Sequence, residues 1–368
     1  MEKISFCTVC MNRLHQLKET LPVNIRRYAD KANIEFVLLN YNSQDELDEW
    51  VKSDLSEYIE SGLLVYYRSP DHEVFSHSHS KNMIFRLATG HILCSINADH
   101  FIGPAFDEYL LTVFKKFPRS FVSPYIPHGS KQKYIPPKDV VGKVCLRRSD
   151  FYALSGFDER FKNYGFEDVD LVKRLENFGL KRIVLNNEEF LRFIEHGDDE
   201  RLRKKEPEFF EAYIRYVSPW ETDVIYLNND KSFEMVTYVK ISIIYAHKYT
   251  YAFKPRKNLY DFSIKRGHWK KGLWSQNGDI IKFKEIDWSL KQSYSSDKIF
   301  LTDINTNKVF AKVLKKENLI NLNSMLSFMN NLAYMKKNIL QKRVAVNKSN
   351  FGSGRVFKNF NNEAIKVN

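Results

Sequence analysis

Two kinds of apolar pattern alternate along the first part of the chain. Continuous apolar runs bounded by polar residues are typical of buried strands, and they occur at residues 4–10, 34–39, 63–67 and 92–96. Apolar residues at helical spacing lie between these runs, over residues 14–25, 47–51 and 80–89. This alternation predicts an α/β fold, in which a mostly parallel sheet is covered by helices on both faces.

The pattern changes in the second part. From residue 232 to 314 the apolar positions shift towards alternation, which predicts strands at 233–244, 280–283 and 309–313 joined by hairpin turns such as Asn277-Gly278. From 317 to 343 helical spacing returns. We therefore expect an α/β domain over residues 1–220, followed over 221–368 by a small β-rich module and a C-terminal amphipathic helix. The residues after Asn347 are expected to be frayed.

Polar residues follow three of the predicted parallel strands. They are Asn12-Arg13, residues 40–43 (Asn-Tyr-Asn-Ser) and residues 97–100 (Asn-Ala-Asp-His). Ligands of such sheets bind beyond the carboxyl ends of the strands. The sequence therefore predicts a binding site at this rim.

Three carboxylates crowd into four positions later in the chain. Glu167, Asp168 and Asp170 follow Tyr164-Gly165-Phe166 and precede a predicted helix that ends at Gly179. Such crowding is unfavourable unless a ligand, a cation or a proton uses the charge. An acidic first turn also suits the helix dipole, and from the cluster alone this alternative stays open.

Composition and charge narrow the classes of protein. The chain is 43% hydrophobic and 14% aromatic, which is enough for a core and excludes wholesale disorder. Residues 231–368 hold 26 Lys and Arg against 9 Asp and Glu, whereas residues 1–230 hold 31 against 36. The basic amphipathic helix predicted over residues 317–343 could bind an anionic membrane surface. Packing of this helix against the β module is the alternative. No known nucleic-acid-binding motif is present, so no nucleic acid partner is expected.

The N-terminal residues lead directly into a strand without a signal peptide, and no apolar run approaches the roughly 18 residues that span a bilayer. The four cysteines lie in apolar segments and are interpreted as buried thiols of a reducing compartment. We expect a cytoplasmic protein, with peripheral attachment to the inner face of the cell membrane as a variant of that location.

Taken in order, these segments resemble the family 2 group of GT-A-fold glycosyltransferases over residues 3–215. Residues 8–13 stand where that group has a strand and a Tyr-Asn-Arg-like turn, and residues 40–43 where it has Asp-Asp-Gly-Ser. Residues 97–100 replace its Asp-x-Asp metal motif. The later segments 142–144, 155–159 and 165–170 resemble the C-terminal half of β-1,4-galactosyltransferases and related GalNAc-transferases.

The resemblance implies an inverting, Rossmann-like nucleotide-sugar transferase with a UDP-linked galactose or GalNAc-like donor and a saccharide or lipid-linked acceptor. Asp168 would take the proton of the acceptor hydroxyl, and Glu167 would hold sugar hydroxyls. Tyr164 and Gly165 would contact sugar, while Asp170 would bind sugar or support the helix start. The implied donor-binding residues are Thr8, Asn12, Arg13, Asn40, Lys81, Asn97 and Asp99.

A divalent cation would neutralise the departing diphosphate. Asp99 ends a predicted strand, and the resemblance adds His196, which follows a strand predicted at 190–194; His100 is a competing ligand. An imidazole ligand favours Mn²⁺, with Mg²⁺ as the alternative. Asn40 and Asn97 replace acidic residues of the family, so Asp99 is left as a single carboxylate.

Several alternatives stay open. His77 and His79, two positions apart, would share one face of a strand and could bind zinc, although a polar loop near the donor phosphates is preferred. Residues 124–137 are predicted to form a mobile loop.

A retaining transferase on the same fold and a non-catalytic sugar- or nucleic-acid-binding protein are the alternative functions. The assembly of a bacterial surface polysaccharide, such as capsule or lipopolysaccharide, is the expected setting.

Overall fold

The computed structural model describes residues 2–124, 140–163, 165–195, 209–240 and 262–368. The chain divides into two compact units, one formed by Met1–Glu195 with Asn330–Asn368 and the other by His196–Met329. This division differs from the predicted boundary at residue 220. The first segment of the first unit ends earlier, at Glu195, and the unit also includes residues 330–368.

The strands of the described residues are named here in chain order. The first unit contains β1 (Ile4–Cys10), β2 (Ile34–Asn40), β3 (Leu64–Arg68), β4 (Ile92–Ser95), β5 (Ser120–Ser123), β6 (Cys145–Arg147), β7 (Lys181–Val184), β16 (Gly354–Lys358) and β17 (Ala364–Val367). The second unit contains β8 (Phe209–Ser218), β9 (Glu221–Asn228), β10 (Ser232–Lys240), β11 (Phe262–Asn277), β12 (Ile280–Phe283), β13 (Trp288–Ser295), β14 (Lys298–Asp303) and β15 (Val309–Lys312).

The helices of the described residues are mostly short. They are α1 (Leu14–Arg27), α2 (Leu47–Asp54), α3 (Ser56–Glu60), α4 (His77–Leu87), α5 (Phe106–Lys116), α6 (Arg148–Ala153), α7 (Glu167–Asn177) and α8 (Lys316–Leu340). Short 3₁₀ segments lie at Glu188–Leu191 and Lys284–Ile286. The boundary between the two units falls within α8.

The described strands of the first unit form a single sheet with the order β17-β16-β3-β2-β1-β4-β6-β5-β7. The central strands β1, β2, β3 and β4 run parallel, as the alternating pattern predicts. Their apolar side chains alternate between two core layers, so that Phe6 and Cys10 lie in one layer and Cys7 in the other. The predicted mixed α/β sheet is confirmed.

The end of the chain is not frayed, and that prediction is wrong. β16 pairs antiparallel with β3 through Phe357↔Arg68 and Lys358↔Tyr67, and β17 pairs with β16. Phe351, Val356 and Val367 are buried in the core layer that holds Cys7. Their apolar side chains, spread thinly among Asn and Lys, anchor the segment to the sheet.

The second unit is a closed antiparallel barrel with the order β10-β11-β12-β13-β14-β15-β8-β9 over the described residues. Its interior is filled by buried apolar side chains such as Trp274, Phe283 and Leu301. The predicted β module followed by a helix is therefore confirmed. The predicted hairpin at Asn277-Gly278 joins β11 to β12. The predicted strand 233–244 corresponds to β10, and its last four residues lie outside the described part.

Helix α8 keeps the predicted position. Its apolar residues Leu322, Met325 and Phe328 are buried, as the alternative of a helix packed within the protein expects. Among the described residues, no helix combines the length and the apolar character that crossing a membrane requires.

Candidate active site

Helix α4 begins three residues earlier than predicted, at His77, because the Ser76 side chain accepts a hydrogen bond from the backbone N–H of His79 and caps the helix. Residues two apart on a helix do not share a face. The two histidines accordingly contact different groups. His77 Nδ1 lies 3.7 Å from Glu167 Oε1. His79, in contrast, bonds the Tyr41 hydroxyl through Nδ1 at 2.8 Å and the Ser353 carbonyl through Nε2 at 3.0 Å. The strand that the zinc alternative needs is absent from these residues, since both histidines lie on α4.

Lys81, on the next turn of α4, lies against the carboxylate cluster at the start of α7. Its Nζ donates to Asp168 Oδ1 at 2.6 Å and lies 3.3 Å from Glu167 Oε1. The Lys81 and Glu167 side chains are 9% and 8% exposed, and that of Asp168 is 15% exposed. Two carboxylates thus share one ammonium in a nearly dry environment, with an edge of Asp168 open.

The electrostatics of this trio are decided by burial and by the shared charge. Burial raises the pKa of Asp168, and Glu167 adds to the rise, although the Lys81 ammonium opposes it. Burial alone would lower the pKa of Lys81, but Asp168 and Glu167 outweigh it and raise the pKa. Lys81 therefore stays charged at neutral pH, and Asp168 is more basic than an ordinary aspartate.

Gly142 links this trio to the rim beyond β4. A Cβ atom at Gly142 would lie 3.0 Å from Asp168 Oδ2 and 3.3 Å from Asn97 Nδ2, so a side chain there would intrude between the two. Asn97 Nδ2 lies 3.4 Å from His100 Nε2, which in turn lies 3.7 Å from Asp99 Oδ1. Residues from α4, α7 and the loop after β4 therefore form one chain of contacts.

A row of polar residues on α1 holds the loop that carries Asp99. Thr20 donates to the Ala98 carbonyl at 2.6 Å, and Asn24 donates to the His100 carbonyl at 3.0 Å. Asn24 also accepts from the N–H of Ile102 at 2.7 Å. These buried residues were missed by the sequence analysis. Their signal is a pair of polar side chains, four positions apart, on the buried face of an amphipathic helix.

The chain that leads to His196 runs beside the same loop. The N–H of Ile194 donates to the Asp99 carbonyl at 2.9 Å, and that of Phe101 donates to the Arg192 carbonyl at 3.0 Å. His196 itself lies outside the described residues, as do Tyr164 and the predicted loop from residue 125 onwards. The prediction of a strand at 190–194 is wrong, because Glu188–Leu191 is a 3₁₀ turn and Phe193 forms an isolated bridge with His100.

Lys143 is a buried ammonium behind this loop. Its Nζ donates to the carbonyls of Phe101 and Phe190, which ties the loop after β4 to the 3₁₀ turn. Burial lowers the pKa of Lys143 to about 8. The side chain is fully covered and so cannot touch a ligand.

The loops that follow β1 and β2 contact each other. The N–H of Asn12 donates to Ser43 Oγ at 2.6 Å, and Asn12 Oδ1 accepts from the N–H of Gln44 at 2.8 Å. Asn40 is 3% exposed; its amide accepts from the N–H of Ser43 and donates to Asp48 Oδ1, both at 2.7 Å. Asn40 thus shapes the loop that follows it.

Three further predicted site residues are Thr8, Arg13 and Asp170. Thr8 is buried within β1, and the Arg13 guanidinium is 3.5 Å from Gln16. Asp170 is fully buried, and its two oxygens accept from Arg174 Nε at 2.6 Å and Asn338 Nδ2 at 2.7 Å. This geometry fits the predicted support of the helix start, and sugar binding by Asp170 stays a prediction.

A family model described as the N-terminal domain of galactosyltransferase matches residues 130–197. A resemblance to galactosyltransferases is therefore confirmed over these residues, while the predicted Gly-Phe-Glu-Asp-x-Asp motif at residues 165–170 stays a prediction. The resemblance to the family 2 group stays a prediction. None of the curated proteins compared with the chain matches it.

Several solved structures are similar to the chain at low sequence identity. S. aureus TarS 1-349 in complex with UDP-GlcNAc is 14% identical with a TM-score of 0.42, over 56% of this chain and 62% of that one. Mannosyltransferase PcManGT from Pyrobaculum calidifontis, in complex with GDP-Man and Mn²⁺, is 16% identical with a TM-score of 0.41, over 50% and 55%. The chain therefore spans less than two thirds of both. GalNAc-T7 with UDP, GalNAc and Mn²⁺ is 12% identical with a TM-score of 0.42, over 87% and 81%.

The described residues offer few ligands for a divalent cation. Asp99 contributes a carboxylate that is almost buried, and His100 lies beside it. No group of three or more His, Cys, Asp and Glu side chains placed to hold a metal ion occurs in the described part of the chain. Asp168 and Glu167 already share the Lys81 ammonium, which balances one of their two negative charges. These residues fit a cation only if a diphosphate and residues outside the described part complete its coordination.

Proposed function

We propose that this protein is an inverting glycosyltransferase that moves a hexose or N-acetylhexosamine from a UDP-linked donor to a saccharide acceptor. The observation that carries the proposal is that Asp168 and Asn97 both approach Gly142, and that Gly142 and Asp168 lie within the segment matched by the galactosyltransferase model. A basic carboxylate thus lies beside the loop of Asp99, beyond the carboxyl end of β4, where ligands of such sheets bind.

The chemistry follows from the charges around Asp168. Its raised pKa makes it a competent acceptor of the proton that an acceptor hydroxyl loses as the oxygen attacks the anomeric carbon. Glu167 remains to accept hydrogen bonds from sugar hydroxyls. Lys81 keeps both carboxylates in place before substrate arrives. Attack from the side opposite the leaving diphosphate inverts the anomeric centre.

A divalent cation, Mn²⁺ in preference to Mg²⁺, would be held by Asp99 and His196 together with the donor diphosphate. When bound, it would neutralise the phosphate charge that develops on the leaving group. The hydrogen bond from Ile194 to Asp99 supports this assignment, because it brings the chain before His196 to the loop of Asp99.

The donor and acceptor belong to the same proposal. UDP-galactose or UDP-GalNAc is favoured, with acceptors that are saccharides or lipid-linked saccharides in the synthesis of a surface polysaccharide such as capsule or lipopolysaccharide. A cytoplasmic location at the inner face of the membrane would suit a lipid-linked acceptor. The basic balance of residues 231–368 supports contact with an anionic surface.

Calorimetric titration with UDP, GDP and dTDP sugars, each with and without Mn²⁺, tests the proposal. We expect saturable binding of a UDP-sugar that tightens when Mn²⁺ is present. Absence of binding by every nucleotide sugar under both conditions would refute the transferase assignment. The anomeric proton coupling of the product, measured by NMR, separates inversion from retention.

The pH dependence of transfer is expected to report the carboxylate trio. Because the base works only when deprotonated, kcat should fall as the pH drops through the raised pKa of Asp168, which lies above the ordinary value of about 3.9. Lys81 opposes that rise, so Lys81→Met should move the acid limb of the kcat profile to higher pH. Lys173→Met, at a lysine paired with Glu176 on α7, is the control and should leave the limb in place. An acid limb that stays fixed in Lys81→Met would show that Asp168 does not set the profile.

A further inference from the structure

The turn before α7 has a backbone that needs support from outside. We call residues 162, 163, 165 and 166 the pre-helix turn. Asn163 has φ 57°, Gly165 has φ 103° and Phe166 has φ 73°. A positive φ is unfavourable for residues that carry a Cβ atom, and most of all for a bulky one such as Phe. Something must therefore hold this turn in place, directly before Glu167 and Asp168.

Asn331 of α8 supplies that support. Its Nδ2 donates to the Lys162 carbonyl at 2.9 Å and to the Gly165 carbonyl at 3.0 Å. Its Oδ1 accepts from the N–H of Lys162 at 3.3 Å. The side chain is 1% exposed, so these bonds compete little with water. One carboxamide thus bonds both ends of the turn.

A second asparagine, two helical turns further along α8, fixes the neighbouring segments. Asn338 Nδ2 donates to Asp158 Oδ2 at 2.9 Å and to Asp170 Oδ1 at 2.7 Å, and its Oδ1 accepts from Arg160 Nη2 at 2.9 Å. Seven residues are close to two helical turns, so Asn331 and Asn338 lie on the same side of α8. Together they hold the chain before, at and after the pre-helix turn.

We propose that Asn331 is a positioning residue, which sets the pre-helix turn and through it the start of α7, where Glu167 and Asp168 lie. Both of its functions as donor and acceptor are used, and a carboxylate in its place would face two carbonyl oxygens without a proton to donate. The catalytic consequence rests on the proposed transferase function. The structural consequence does not.

Trypsin gives a test that does not depend on activity, because Lys162 is exposed and its carboxyl-side bond lies in the turn. In Asn331→Asp, we expect cleavage after Lys162, identified by mass spectrometry, to be at least about 10-fold faster than in the unchanged protein. Asn318→Ala, at an exposed asparagine of the same helix, is the matched control and should leave the rate unchanged. A rate in Asn331→Asp within twofold of the unchanged protein would overturn the proposal.

Hydrogen exchange of the unchanged protein covers the case in which the variant does not fold. The N–H of Lys162 should exchange slowly, because it donates to a buried oxygen. Exchange at the rate of an unprotected amide would also overturn the proposal.

Kinetics then separate this inference from the proposed function. A displaced turn should lower kcat of Asn331→Asp by roughly 10- to 100-fold while the donor Kd changes by less than about threefold. An unaltered kcat beside rapid cleavage at Lys162 would refute the link to catalysis. If neither the unchanged protein nor any variant transfers sugar, the proposed function fails. The proteolysis result still decides the role of Asn331.

Discussion

Asp168→Asn is expected to lower kcat by about 10²- to 10⁴-fold, the range that a positioned general base contributes. The amide keeps the size of the side chain but has no basicity, so the acceptor hydroxyl would have to lose its proton to water. Donor affinity should change little, because the base acts on the acceptor. Single-turnover transfer assays and donor titration by calorimetry measure the two quantities separately.

The control for this substitution is Glu176→Gln, which removes a carboxylate from the same helix at a position paired with Lys173 and Arg182. It should leave kcat within about twofold, because surface ion pairs contribute little. Equal losses in both variants would point to damage of α7 instead of loss of a base. Transfer by Asp168→Asn at the unchanged rate would exclude Asp168 as the base.

Gly352→Ala is expected to destabilise the first unit by about 3 kcal/mol or more, which is at or above the upper end of the usual range for single substitutions. Gly352 has φ 62°, and a Cβ atom there would lie 2.7 Å from the backbone carbon of Asn82 and from the backbone nitrogen of Met83. Neither atom can move without displacing α4, the helix that bears Lys81. Denaturation followed by circular dichroism measures the loss.

A second glycine provides a matched control. Gly62 has φ 77°, but a Cβ atom there would meet nothing within 4 Å. Gly62→Ala should therefore cost only the backbone term of roughly 1–2 kcal/mol. The difference between the two variants isolates the clash with α4. Equal losses would show that the segment after Asn347 does not press on that helix.

The parallel centre of the sheet was predictable because its strands are continuous apolar runs, which few other environments tolerate. The first strand at residues 4–10 and the strand at 280–283 match the structure in both bounds. The carboxylate cluster was predictable for a different reason. The repulsion between Glu167 and Asp168 is unfavourable unless a cation such as Lys81 offsets their charge.

The partners of these residues could not be predicted, because they are distant in the sequence and chemically plain. Asn331 and Asn338 are ordinary helix residues until the fold brings residues 158–170 against them. The same holds for Thr20 and Asn24, which bond a loop more than seventy positions away. Hydrogen bonds of this kind leave no local periodicity. The early start of α4 is an exception, since Ser76 is a recognisable cap.

The pairing of β16 with β3 has a consequence for biogenesis. The sheet of the first unit needs residues 354–367, which emerge from the ribosome after the whole barrel has been translated. Until then, the outer side of β3 is an open strand edge on a nascent polypeptide, and such edges invite aggregation. A truncation before residue 354 would leave the edge of β3 exposed permanently, so such variants should be obtained in poor yield.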